Sequence, residues 1–261
     1  MGWKILLPQE IMEEATQYLT EHGHTLIHGR GFETEDVLAD MKEHKPEAMI
    51  VRITKITREV IEANPNLKVL VRHGVGFDAV DIEACHDNGV QTLYAPVANS
   101  TSVAETALML ILECSRNVIA LRKTWVQDYF KAKLKIRKNT LNGKTLGIIG
   151  CGNIGSRLAT RAMAMEMNVL AYDPYKPAAA FPDGVEVVRD LDRIFKEADY
   201  VSLHTPNTPV TRDLVNKKTL AMMKPTAFLI NTARGACVNE DDLYDACKNG
   251  VIMGAGLDAI K

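Results

Sequence analysis

Short runs of β-branched and aliphatic residues recur along this chain, each set off from the next by a polar, helix-favouring stretch, and that rhythm leaves few folds open. In the first part the expected strands are Lys4–Leu7, Thr25–His28, Ala48–Arg52, Lys68–Arg72 and Gln91–Tyr94, with helical segments such as Glu10–His22, Glu33–His44 and Arg58–Ala63 between them. In the second part they are Thr145–Ile149, Asn168–Tyr172, Val185–Val188, Tyr200–His204, Ala227–Asn231 and Gly254–Asp258. Runs such as Leu146-Gly147-Ile148-Ile149 and Phe228-Leu229-Ile230 are apolar on both faces, as strands covered by helices on both sides require. Alternation repeated this often specifies an α/β protein with two doubly wound parallel sheets. The length of 261 residues agrees with two domains at about 150 residues each.

The boundary follows from helix signals. Asn99-Ser100-Thr101-Ser102 carries capping chemistry, and Glu105 stands three residues after Ser102 as in a capping box. From Val103 to about Gln127 the pattern predicts one long helix, too long and apolar for a simple crossover. It therefore reads as the connection into a second domain, with residues 1–98 in the first and 99–261 in the second. The basic stretch Lys131–Lys144 lacks interleaved aromatics for stacking bases and is expected to be a solvated linker.

Composition removes other classes. A net charge of −2 supplies no positive field for nucleic acid or an anionic membrane. The apolar stretch Ala107–Leu112 stops at Glu113, far short of the roughly 18 residues of a membrane span. Five cysteines (85, 114, 151, 237 and 247) are odd in number and form no C-x-x-C pair, so reduced thiols in the cytoplasm are expected. The cysteine cluster of a zinc-dependent dehydrogenase is missing, and no metal is expected.

Two segments match G-x-G-x-x-G/A: Gly74-Val75-Gly76-Phe77-Asp78-Ala79 and Gly150-Cys151-Gly152-Asn153-Ile154-Gly155. Context separates them. The second follows a strand and opens a helix expected over Ile154–Met165, and the next strand ends at Asp173, a carboxylate placed to accept from both ribose hydroxyls of an adenosine. Gly150 permits the tight turn, Gly152 admits a pyrophosphate, and Gly155 lets helix and strand pack closely. Asp173 repels a 2′-phosphate, which selects NAD over NADP, with Lys176 as the one nearby dissent. After the first loop the next strand ends in Tyr94-Ala95-Pro96, with no acid.

Six motifs in order now carry a resemblance: Arg72 to Asp81, Asn99 to Glu105, Leu141 to Gly150, His204-Thr205-Pro206, Asn231-Thr232-Ala233-Arg234-Gly235 and Gly256-Leu257-Asp258. Together they resemble the D-isomer-specific 2-hydroxyacid dehydrogenases, a group that includes 3-phosphoglycerate dehydrogenase, glyoxylate/hydroxypyruvate reductase and D-lactate dehydrogenase. The resemblance implies a flavodoxin-like substrate domain followed by a Rossmann NAD-binding domain. It also implies hydride transfer between NAD and a small 2-hydroxy or 2-keto acid, and a homodimer built through the NAD domains. By the same likeness Arg234 binds the substrate carboxylate and polarises the keto oxygen, a task suited to a permanently charged planar fork. The Gly74-Val75-Gly76 loop cradles that carboxylate, with Val75 also near the nicotinamide, and Arg52 resembles an arginine that contacts substrate phosphate. Asn153 and Ile154 match the pyrophosphate turn and Asp173 the ribose acid. His204, Thr205, Pro206, Thr232, Ala233 and Arg234 match loops on the nicotinamide side, and Asp258 matches the acid near its carboxamide.

The family's proton chemistry adds a glutamate shortly after Asp258 and a histidine several tens of residues later, both past Lys261. The NAD domain is accordingly expected to be incomplete at its C-terminal end and residues 1–261 alone to be impaired in catalysis. His73 and His204 lie near the chemistry, but the latter's position belongs to the cofactor loop. Two other readings stay open at this point: an NAD(H)-sensing, corepressor-like binding protein on the same scaffold, and an inactive truncated form.

Overall fold

The computed structural model describes residues 2–136 and 138–261, which separate into two compact units, Met1–Asn99 and Ser100–Lys261. The first unit runs β1 (Lys4–Leu7), α1 (Glu13–Glu21), β2 (Thr25–His28), α2 (Thr34–His44), β3 (Ala48–Val51), α3 (Arg58–Glu62), β4 (Val69–Arg72), α4 (Ile82–Asp87) and β5 (Gln91–Tyr94). Its strands are all parallel and ordered β2-β1-β3-β4-β5, so the winding reverses between β1 and β3. Alternation along β1 explains why it reads as apolar throughout. Leu6 packs on one face of the sheet with Val37, Met41, Val60 and Ile61, while Ile5 and Leu7 take the other face beside Trp3, Leu19 and Leu26.

The second unit opens with α5 (Ser100–Arg116), α6 (Val118–Gln127) and α7 (Tyr129–Lys135), then β6 (Thr145–Ile149), α8 (Asn153–Ala164), β7 (Asn168–Tyr172) and β8 (Glu186–Val187). It continues with α9 (Leu191–Glu197), β9 (Tyr200–Leu203), α10 (Lys217–Leu220), β10 (Phe228–Asn231), α11 (Glu240–Lys248) and β11 (Gly254–Leu257). Six parallel strands lie in the order β11-β10-β9-β6-β7-β8, two three-strand halves wound outwards from a reversal between β6 and β9. This is the strand order of a Rossmann dinucleotide-binding sheet. Ile149, Leu203 and Leu229 face a core with Ile194, Phe195, Leu220 and Leu243. Leu146, Ile148 and Ile230 face the other, with Ala104, Ile111, Leu158 and Ala162.

Two expectations need correction. The single helix predicted over Val103–Gln127 is broken: α5 begins at Ser100, inside the presumed cap, and ends at Arg116, because Asn117 adopts the left-handed conformation (φ 51°) before α6 restarts. Asparagine tolerates that region better than most residues. The basic linker is likewise partly helical. Asp128 caps α7 by accepting from Lys131 N at 2.9 Å, while Arg137 of that stretch lies outside the described residues.

All five cysteines are free, with Cys85, Cys151 and Cys237 buried, and burial pushes the Cys85 and Cys114 thiols up to about 11. Among the described residues no helix is long and apolar enough to cross a membrane, and no cluster of three or more His, Cys, Asp or Glu could hold a metal ion.

Candidate functional site

In unit 2 the chain leaves β6 at Ile149 and turns through Gly150–Gly152 directly into α8. Gly150 has φ +90°, and a Cβ there would lie 2.7 Å from the His204 carbonyl oxygen; a Cβ at Gly155 would lie 2.3 Å from the Gly150 oxygen. Helix and strand can meet this closely only without side chains at these two points. Around Gly152 the space is open, with nothing within 4 Å of a Cβ. Gly152 is also the cap residue of α8, so no side chain accepts from the helix's first amides, at Asn153 and Ile154. Their partial positive charge is left for an anion.

The earlier glycine loop is built differently. Its helix, α4, starts only at Ile82, and the Asp81 carboxylate already accepts from Ala84 N at 2.8 Å. A carboxylate thus occupies the position a phosphate would take. Of the two loops, the later one leaves the start of its helix without a side-chain cap.

Beside that helix start lies a cleft of about 470 Å³ lined by Gly152, Asn153, Ser156, Arg157, Asp173 and Lys176, among others. Asp173 stands just past β7 and accepts one main-chain bond on each oxygen, from Cys151 N at 3.0 Å and Tyr175 N at 3.1 Å. Both oxygens keep lone pairs for further donors. The residues present therefore fit a dinucleotide. Ser156, Arg157 and Lys176 enter the lining without having been assigned there from sequence. The period of α8 would have flagged the first two, since Ser156 and Arg157 fall on the turn facing the loop.

The other strands of this sheet bring their sequence-assigned residues to the same carboxyl rim. His204, Thr205 and Pro206 follow β9; Thr232, Ala233 and Arg234 follow β10; Asp258 follows β11. Asn231, fully buried, knots two of these loops: its side-chain oxygen accepts from Ala233 N at 3.0 Å, and its amide donates to Arg234 O at 3.0 Å and Ala259 O at 3.3 Å. The Arg234 side chain is only partly buried and donates from Nη1 to Ala233 O at 2.8 Å. His204 Nδ1, Asn207 Oδ1 and Thr232 Oγ1 are buried with no hydrogen-bond partner among the described residues, three polar atoms consistent with a ligand on this rim. Asn207 was not singled out from sequence.

Burial disfavours the charged form of His204. Its Nε2 lies 2.9 Å from the buried Ser202 Oγ, and desolvation pushes its pKa down to about 4, so the ring is neutral at pH 7.

Arg52, Gly74, Val75 and Gly76 belong to unit 1 and sit on the carboxyl rim of its own sheet, past β3 and β4. Arg52 lies next to the β1/β3 reversal, where ligands of open α/β sheets bind. Gln9, in the turn after β1, accepts from Arg52 N at 2.9 Å, and Glu10 O accepts from the guanidinium at 3.3 Å. The Arg72 guanidinium donates to His73 O at 2.6 Å. Burial lowers the His73 pKa, and the charges of Arg52 and Arg72 lower it further. This rim therefore carries two arginines beside the Gly74–Gly76 loop.

Comparison with known proteins places these two sheets. Residues 108–261, more than half of the chain, match the family described as D-isomer specific 2-hydroxyacid dehydrogenase, NAD binding domain. The chain belongs to the D-isomer-specific 2-hydroxyacid dehydrogenases. Among relatives of this dehydrogenase, the hydroxypyruvate reductase of Thermotoga maritima is 36% identical over 260 residues, covering 99% of this chain and 83% of the relative. The D-3-phosphoglycerate dehydrogenase of Methanocaldococcus jannaschii is 39% identical over 260 residues, and here the chain spans only 49% of the longer relative. Among solved structures, D-lactate dehydrogenase from Aquifex aeolicus, complexed with NAD and lactic acid, matches with a TM-score of 0.87 at 31% identity, covering 99% of this chain and 77% of that one. The cofactor of the dehydrogenase family is NAD, and unit 2 contains its binding domain.

Proposed function

We propose that this dehydrogenase interconverts a D-2-hydroxy acid and its 2-keto acid, and that its preferred substrate carries a second anionic group, as 3-phosphoglycerate does. The observation that carries the reading is the uncapped start of α8 beside the free lone pairs of Asp173. When bound, NAD supplies the hydride acceptor or donor. Gly150, Gly152, Asn153, Ile154 and Gly155 hold the pyrophosphate and Asp173 the adenosine ribose. His204, Thr205, Pro206, Thr232 and Ala233 line the nicotinamide half, with Asp258 beside the carboxamide. Arg234 binds the substrate carboxylate and stabilises charge growing on the C2 oxygen.

In unit 1, a domain of flavodoxin-like strand order, the Gly74-Val75-Gly76 main chain serves the carboxylate, and Arg52 with Arg72 serves the distal anion. That basic rim favours a dianionic substrate over lactate or glyoxylate. Five free cysteines suit a reducing compartment such as the cytoplasm. Exposed apolar side chains on α6 and α7, among them Trp125, Val126, Phe130 and Leu134, suit a homodimer formed through unit 2.

The test is NADH oxidation with 3-phosphohydroxypyruvate, hydroxypyruvate and glyoxylate by a chain that also carries the family's later glutamate and histidine. The highest kcat/KM is expected for the phosphorylated acid. Cofactor binding without turnover of any of them would instead favour a sensor.

A further inference from the structure

From sequence, Lys176 is the cation nearest the ribose acid and the natural partner of a 2′-phosphate. The fold commits its ammonium to the glycine turn at the wall of the cleft. Its ammonium donates to Cys151 O at 2.7 Å and Ser156 Oγ at 2.9 Å, and lies 5.2 Å from the centroid of the buried Phe181 ring. In the opposite direction, Cys151 N donates to Asp173 Oδ2, while Tyr175 N steadies Oδ1. The turn after β7 and the glycine turn after β6 are therefore stitched together twice, once by carboxylate on amide and once by ammonium on carbonyl. Ser156 Oγ adds a bond to the same Cys151 oxygen at 3.0 Å, tying in the first turns of α8. Bonds from an ammonium are stronger than neutral ones, particularly in a partly buried setting such as this.

We propose that Lys176 is a positioning residue that holds the Asp173 carboxylate against the adenosine ribose and, by spending its charge inward, preserves discrimination against a 2′-phosphate. The proposal rests on the NAD reading of this cleft. With the strap cut, Asp173 keeps its charge but loses its fixed place, so the adenosine half of the cofactor binds more weakly while the nicotinamide half is untouched.

Calorimetry on the intact chain tests it, with ADP-ribose, nicotinamide mononucleotide, NADH and NADPH as probes. Lys176→Met keeps the stem over Phe181 and removes both donors. It is expected to weaken ADP-ribose binding about tenfold, to leave the mononucleotide unchanged and to narrow the gap between NADH and NADPH. Lys176→Arg, which can still donate to both oxygens, should recover most of the loss. Ser156→Ala, which leaves the carbonyl bond intact, should cost only about threefold. Unchanged ADP-ribose binding in Lys176→Met overturns the proposal, as does equal weakening of both half-cofactors, the mark of a general folding defect. Failure of the unaltered protein to bind ADP-ribose would instead bring down the NAD reading itself.

Discussion

Arg234 owes its place to a side chain that never reaches solvent. Asn231 ends β10 inside the core and spends its amide on the main chain of residues 233, 234 and 259. The arginine therefore projects from a turn fixed at its base, while its guanidinium remains partly accessible. Arg234→Ala is expected to lower kcat/KM by roughly a thousandfold, since it removes charge stabilisation realised in the transition state. NADH affinity should stay nearly intact; a large loss of it would count against the assignment. Asp173→Ala should shift the ratio of NAD to NADP affinity towards parity, and an unchanged ratio would refute the ribose contact. His204 adds a pH dependence. Its folded pKa of about 4 lies below the ordinary 6.5, so the unfolded chain binds the extra proton first. The stability contributed by the neutral ring is complete above about pH 6.5 and is lost as pH falls towards 4, on the order of 3 kcal/mol in all. Urea unfolding at pH 7.5 and 4.5 should show that loss, and His204→Gln should reduce it.

Among the elements, the junction of β6 with α8 tolerates little. Gly155→Ala would drive a methyl group against the Gly150 carbonyl, so the helix must slide. About 2 kcal/mol of stability and most NADH affinity should go with it, read by denaturant midpoint and calorimetry. The strands themselves were legible: β6 and β7 begin and end where their apolar runs do, because burial on both faces leaves little latitude in the pattern, while the edge strands β2 and β5 were bounded by the polar helical stretches around them. The break at Asn117 was not legible, since its cause is a single backbone angle inside an otherwise helical stretch. Helix α7 was hidden by its own lysines, which look like linker until Asp128 is seen capping them. In the cofactor cleft, the glycines and Asp173 announced themselves by spacing. Lys176 was noticed beside the ribose acid, but its bonds were not legible, because its partners are a main-chain oxygen and a hydroxyl 25 and 20 residues upstream.

At the scale of the molecule, the α6–α7 segment gathers several exposed apolar side chains in one stretch. Val126 is 83% exposed, Leu134 77% and Phe130 70%, and Trp125, Tyr129 and Phe130 stack edge to face in a row. Phe130→Asp is expected to halve the mass seen in sedimentation at micromolar protein while leaving NADH binding unchanged; a monomeric unaltered protein would exclude the dimer. The uniform strand direction of unit 2 has a practical corollary. Every ligand group assigned in unit 2 gathers at one rim, whereas the opposite rim carries Gly143 before β6 and Gly250 before β11, left-handed turns at φ +70° and +69° with open space around them. A tether, fluorophore or grafted peptide inserted at either glycine would leave the chemistry facing outward, making this sheet a ready platform for an immobilised nicotinamide biosensor.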